Sequence, residues 1–190
     1  MKISALKQKA KATLKGNFGL AILIMIVYAA ICSIVDSITF GLGLLVTPVL
    51  TFGMMSFYLI MAREGTAKFE VFFTDSISNF LKKWGALLLT TLYTWLWSLL
   101  FIIPGIVKSY AYSMTQFIML DNPEMGINEA IAQSQKMMKG YKWKLFCLDL
   151  SFIGWHLLAS ITCGLVYLYA IPVMNAARVQ FYEELKAIQG

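Results

Sequence analysis

The chain has 190 residues, 59% of them hydrophobic and 14% charged, with a mean hydropathy of +0.70 and a net charge of +6. Apolar content this far above the roughly 45–50% of soluble domains excludes a water-soluble globule closed around one core. The basic residues abut apolar stretches instead of forming a nucleic-acid stripe, so membrane lipids, chiefly anionic ones, are the expected partners and nucleic acid is not.

A hydrocarbon layer about 30 Å thick needs roughly 17–25 apolar helical residues, because no backbone polar group goes unpaired in lipid. Six stretches approach this length, so the expected fold is an all-α polytopic bundle. Its six transmembrane helices form three hairpins, each preceded by a cytoplasmic amphipathic helix, in one membrane domain over 1–190 with units at about 1–62, 66–120 and 123–186.

The first unit opens with Ile3, Leu6, Ala10 and Leu14 on one helical face and Lys2, Lys7, Lys9, Lys11 and Lys15 around the rest, a basic interfacial helix. Spans follow at Phe18–Val35 and Leu42–Ala62, without an internal charge except Asp36 just past the first. The first run exceeds a secretory h-region and no small-x-small site follows, so it reads as a retained anchor.

In the second unit Phe69, Phe72, Phe73, Ile77, Phe80 and Leu81 form an apolar stripe ending in Lys82-Lys83-Trp84, an aromatic-basic anchor at headgroup level. Trp84–Ile103 is the third span. Pro104-Gly105 makes the outer turn, and Ile106–Leu120, carrying Lys108, is the fourth. Treating Pro104 as a kink in one long helix would give five spans and send the Lys136 to Lys144 cluster outside. Thr90, Thr94 and Ser98, at i, i+4 and i+8, read as an interhelical seam.

The third unit places Ile127, Ala130, Ile131, Ser134 and Met138 on one face of a helix over about 127–139, stopped by Gly140 and followed by Lys142-Trp143-Lys144, a second anchor. Leu145–Ile161 and Leu165–Phe181 complete the set. Ser37-Ile38-Thr39-Phe40-Gly41-Leu42 and Ser160-Ile161-Thr162-Cys163-Gly164-Leu165 hint at internal repetition. Cys32, Cys147 and Cys163 lack metal or redox spacing and read as packing residues.

With both termini cytoplasmic, six spans leave only Lys108 of the sixteen basic residues outside, as the positive-inside rule requires. Asp36 is its one acidic counterpart there. The outer connections are too short for an extracellular domain.

Ionisable groups within spans are expensive and mark sites. Asp149 and Arg178 lie at similar depth on antiparallel neighbours, where they form a structural ion pair or the wall of a cytoplasm-facing cavity. His156, two turns beyond Asp149, and Asn175 complete the candidate polar site: Asp149, His156, Asn175 and Arg178. No catalytic set, cofactor motif or metal-ligand spacing is present, so no enzyme is expected.

The run Pro104-Gly105-Ile106-Val107-Lys108-Ser109-Tyr110, then Asp121-Asn122-Pro123, Glu129-Ala130-Ile131 and Met137-Met138-Lys139-Gly140-Tyr141-Lys142-Trp143-Lys144-Leu145-Phe146, resembles the bacterial integral membrane proteins of domain-of-unknown-function family 975. The likeness extends to Leu6-Lys7 through Asn17 and to Phe181-Tyr182-Glu183-Glu184-Leu185. Gly126 stands where that family often has a serine cap. The resemblance implies a bacterial plasma-membrane protein and no particular activity. Two functions are therefore expected to compete: a non-enzymatic scaffold assisting an envelope or export process, with a protein partner or as a homo-oligomer, and a small transporter or lipid-binding protein with a polar cavity between spans four to six.

Overall fold

Residues 52–59 are buried on every side, which makes helix α3 (Thr47–Glu64) the axis of the molecule. The computed structural model describes residues 2–39, 47–100, 102–162 and 164–189; it is all-α, with no strand among the described residues. Around α3 pack α2 (Phe18–Thr39), α4 (Phe69–Ile77), α5 (Phe80–Leu100), α7 (Thr115–Asp121) and α11 (Tyr167–Gln189).

The tightest approach is between α3 and α4, at Gly53. A Cβ on that residue would lie 2.0 Å from Ser76 Oγ and 2.2 Å from the Phe72 carbonyl oxygen, so only hydrogen fits there. Helix α4 accordingly turns Phe72 and Ser76 into the core and leaves Phe73 and Ile77 exposed, as are Phe80 and Leu81 at the start of α5. Its apolar stripe is thus divided between protein and surroundings. Likewise α1 (Ile3–Leu14) buries Leu6, Ala10 and Leu14 against α11, and α8 (Ile127–Met137) buries Ala130, Ile131 and Ser134. Faces expected to rest on lipid are used to close the bundle.

The chain reverses between α5 and α6 (Ile102–Tyr112). A Cβ on Gly105 would come within 2.8 Å of Ser98 Cα, whereas residues seven apart in one helix lie about 10.5 Å apart along the axis. The single kinked helix is excluded. The segment expected to be the fourth span, however, is not one helix. It divides into α6 and α7 because Ser134 from α8 enters the backbone ladder: its hydroxyl donates to the Ala111 carbonyl at 2.8 Å and accepts the Met114 N–H at 3.2 Å. Span five divides in the same manner into α9 (Lys142–Leu150) and α10 (Ile153–Ile161), and the Lys7 ammonium donates to the Ser151 carbonyl freed at the break, at 2.8 Å.

Local signals set the other boundaries. Gly140, at φ +82°, ends the segment after α8 in the left-handed region glycine tolerates. The Gly126 N–H donates to Glu129 Oε2 at 3.2 Å, preserving half of a capping box without a serine.

Two helical segments among the described residues, Phe18–Val35 and Lys142–Ile161, are long and apolar enough to cross a membrane, and only 11% and 22% of their residues are buried inside the protein. Trp143 is exposed and stacks on Phe146, with Lys144 over the Tyr141 ring beside it, as an interfacial anchor requires. Lys142 is half-buried. The second anchor set departs from expectation. Lys83 is buried, donating to the Asp75 carbonyl and to Ser78 Oγ, and burial lowers its pKa. Lys82 donates to the Pro123 carbonyl, and the Trp84 indole N–H is buried with no hydrogen-bond partner.

Candidate functional site

Asp149 and Arg178 meet. Across from α11 to α9, the Arg178 Nη2 donates to Oδ2 of Asp149 at 3.1 Å and to Oδ1 at 3.2 Å. Tyr110 of α6 donates its hydroxyl to Oδ2 at 3.2 Å and is held edge-on by Phe146. The pair is not sealed: the Arg178 side chain is 46% exposed and that of Asp149 23%. Both border a pocket of about 390 Å³ whose remaining wall includes Thr51 and Met55 of α3, Ser113, and Gln116.

The chemistry of this pocket follows from what the ion pair leaves unused. Asp149 neutralises the guanidinium charge, yet Nη1 of Arg178 makes no hydrogen bond among the described residues. Two N–H donors therefore remain for an outside acceptor such as a phosphate or ester oxygen. Apolar Met55, Phe117 and Leu145 beside them suit a hydrocarbon tail.

The other two expected members lie elsewhere. His156 is exposed on α10, where Nδ1 is 3.0 Å from the Tyr167 hydroxyl and the two rings meet edge-on. Asn175 is buried on α11 and donates to Met54 Sδ at 3.8 Å. Neither borders the pocket. Helical periodicity placed His156 on the Asp149 face, but the break after Leu150 rotates α10 away. Among the described residues no group of His, Cys, Asp or Glu is arranged to hold a metal ion.

Lys108 reaches neighbouring helices. Its ammonium lies 4.6 Å from the centre of the Trp97 ring and 3.5 Å from Gln135 Oε1 on α8. The Asp36 side chain expected to pair with it lies outside the described residues, as do Cys163 and residues 40–42 of the first of the two similar outer turns.

One cluster was not anticipated. The carboxylate of Asp121, at the end of α7, accepts Arg63 Nη1 at 2.7 Å, Arg63 Nη2 at 2.8 Å, Lys186 Nζ at 2.6 Å and the Tyr182 hydroxyl at 2.8 Å. Glu183 completes the network at 2.8 Å from Arg63, and Lys9 of α1 pairs with Glu184 at 2.9 Å. Burial by itself would raise the Asp121 pKa; the donors from Arg63, Lys186 and Tyr182 outweigh it and hold it at about 2. The Tyr182 pKa is raised by burial and by that carboxylate. The network ties the C-terminal ends of α3 and α7 to α11. Its signal in the sequence was an Arg, an Asp and a Glu placed just past the ends of the second, fourth and sixth apolar runs.

No curated protein and no solved structure matches the chain. A family model does match, over residues 99–189, which comprise the end of α5 and all of α6 to α11, including Tyr110, Asp121, Asp149 and Arg178. Over those residues the chain is similar to the family of proteins of unknown function designated DUF975.

Proposed function

We propose that the chain is a non-enzymatic, multi-pass protein of a bacterial plasma membrane that binds the headgroup of an anionic amphiphile between Arg178 and the walls of the adjoining pocket. The observation that carries this reading is the partly exposed ion pair: Arg178 is oriented by Asp149, which Tyr110 holds in turn, yet keeps unused donors beside a cavity of mixed polar and apolar wall. Six spans with cytoplasmic termini agree with the meeting of Arg63, Asp121 and Glu183 at one level. The same level carries the Lys9–Glu184 pair of the basic N-terminal helix.

The test is native mass spectrometry of the protein released from nanodiscs containing phosphatidylglycerol and phosphatidylcholine. Wild type is expected to retain phosphatidylglycerol preferentially, and Arg178→Gln to lose that preference while its thermal midpoint changes little. Equal retention of both lipids by wild type, or a preference untouched by Arg178→Gln, rejects this site.

A second reading, a scaffold assisting an envelope or export process, is supported by the exposed row Ile77, Phe80 and Leu81 beside the buried Phe72. It requires that Leu81→Gln and Ile77→Gln, which disturb no core contact, abolish complementation of a deletion strain. Phe72→Asp does not discriminate, because Phe72 is fully buried and its loss would unfold the α3–α4 contact.

A further inference from the structure

A second cavity, of about 410 Å³, lies between α5 and the broken α6–α7 segment. It exists because these elements converge and then part: Gly105 rests directly on Ser98, while the break at residues 113 and 114 carries α7 away from the first half of α5. The Ser98 end is thus the expected seam. Thr90 and Thr94 instead face open space.

This cavity has an unusual wall. Thr90, Thr94 and Ser98 from α5, Ser109 from α6 and Ser113 from the break that follows it all border it, and none of its lining residues is charged. Each of these hydroxyls donates its proton to a carbonyl of its own helix: Thr94 to Thr90 at 2.8 Å, Ser98 to Thr94 at 2.8 Å, Ser113 to Tyr110 at 2.8 Å, Ser109 to Ile106 at 2.8 Å and Thr90 to Ala86 at 2.9 Å. These five oxygens keep lone pairs and no free proton, so they present a row of acceptors, beside which the Gln116 amide adds both a donor and an acceptor. Thr115, only 2% exposed, also borders the cavity, and its Oγ1 has no hydrogen-bond partner among the described residues. An unsatisfied hydroxyl buried to that degree costs free energy unless something outside the chain fills the cavity.

From this wall we infer that the cavity binds a neutral polyol, a sugar or glycerol group carried on a lipid. Several O–H donors on one small group match several acceptors, and an exposed Trp95 at the mouth offers the flat apolar face against which a sugar ring packs. A cationic headgroup is disfavoured, because Lys108 Nζ lies 6.0 Å from the centre of the Tyr112 ring, another wall of the cavity. An anionic one finds no cation among the lining residues. The inference rests on the membrane placement proposed above but not on the Arg178 pocket. The two cavities share Ser109, Ser113 and Gln116 as a dividing wall.

The experiment uses the full chain in phosphatidylglycerol nanodiscs carrying equal amounts of glucosyl-diacylglycerol and of diacylglycerol with the same acyl chains, read by native mass spectrometry. Wild type retains the glucosyl lipid over diacylglycerol by about tenfold or more, since buried acceptors reject an analogue that lacks their donors. Thr115→Val and Thr94→Val, close in shape but without hydroxyls, reduce that ratio; Thr115→Ser restores it, and Arg178→Gln leaves it unchanged. Competition by free glucose shows that the polyol group suffices, and its absence shows that the lipid anchor is part of recognition. Equal retention of the two lipids by wild type overturns the inference. So does a preference that survives both valine substitutions in proteins whose thermal midpoints match wild type. Failure of the chain to enter nanodiscs refutes the membrane placement and with it the inference.

Discussion

Replacing Asp121 by Asn tests whether the network at the ends of α3, α7 and α11 holds the bundle together. The substitution keeps shape and removes charge, leaving Arg63 and Lys186 facing a neutral amide in place of a carboxylate whose side chain is only 8% exposed. A carboxyl held at about 2 instead of its ordinary 3.8 contributes about 2 kcal/mol of stability at neutral pH. Because the Arg63 and Lys186 side chains are 36% and 52% exposed, solvent screening lowers the expectation to about 1–2 kcal/mol. For a domain of this size that is a fall in thermal midpoint of roughly 2–8 °C. The sign with pH is fixed as well. The folded-state pKa is depressed, so the contribution is fully present above about pH 4 and disappears as pH falls toward 2. Thermal unfolding in mild detergent, followed by fluorescence-detected size exclusion, measures both effects. Asp121→Asn should lower the midpoint at pH 7 and flatten its decline between pH 4 and 2, and combining it with Arg63→Gln should cost less than the sum of the two. A midpoint within 1 °C of wild type at pH 7, with an unaltered acid limb, would refute the reasoning.

Three other outcomes follow from the packing. Gly53→Ala places a methyl group against the Phe72 carbonyl and should cost about 1–3 kcal/mol despite alanine's better helix propensity; Ser76→Gly should not rescue it, because that carbonyl remains. A raised thermal midpoint in Gly53→Ala would contradict the close approach of α3 and α4. Ser134→Ala leaves the Met114 N–H and the Ala111 carbonyl without their buried partner, so about 1–3 kcal/mol is lost and amide exchange at Met114 accelerates. Unchanged protection at Met114 would show that α8 does not cap the break. His156→Ala removes an exposed ring whose hydrogen bond is to Tyr167, and stability should change by no more than about 0.5 kcal/mol. A larger loss would mean that His156 has a buried role.

The legible part of the site was the pair that sequence spacing fixes directly. Asp149 and Arg178 lie a few residues inside the ends of adjacent antiparallel runs, and equal depth made their meeting a matter of helix rise alone. His156 required an unbroken helix between it and Asp149. That condition failed at Ser151, where the partner of the freed carbonyl is Lys7, more than a hundred residues earlier in the chain. Asp121 went unrecognised for a related reason: its donors come from Arg63, Tyr182 and Lys186, and each alone reads as an ordinary charge or ring at the end of an apolar run.

By itself the sequence determined helix content, the amphipathic faces of α1, α4 and α8 and the stop at Gly140, because period and glycine act within a few residues, but it misplaced the outer turn: Pro104 and Gly105 lie in the first turn of α6, where a helix tolerates proline, and the chain reverses before them. It could not determine what those faces cover, since an apolar stripe satisfies lipid and protein equally well. The tertiary structure decided that, placing α3 at the axis through the vacancy at Gly53 and drawing Leu6, Phe72 and Ala130 inward. It also decided where the two long apolar runs break, because a carbonyl or N–H leaves its ladder only when a distant side chain, Ser134 or Lys7, arrives to satisfy it.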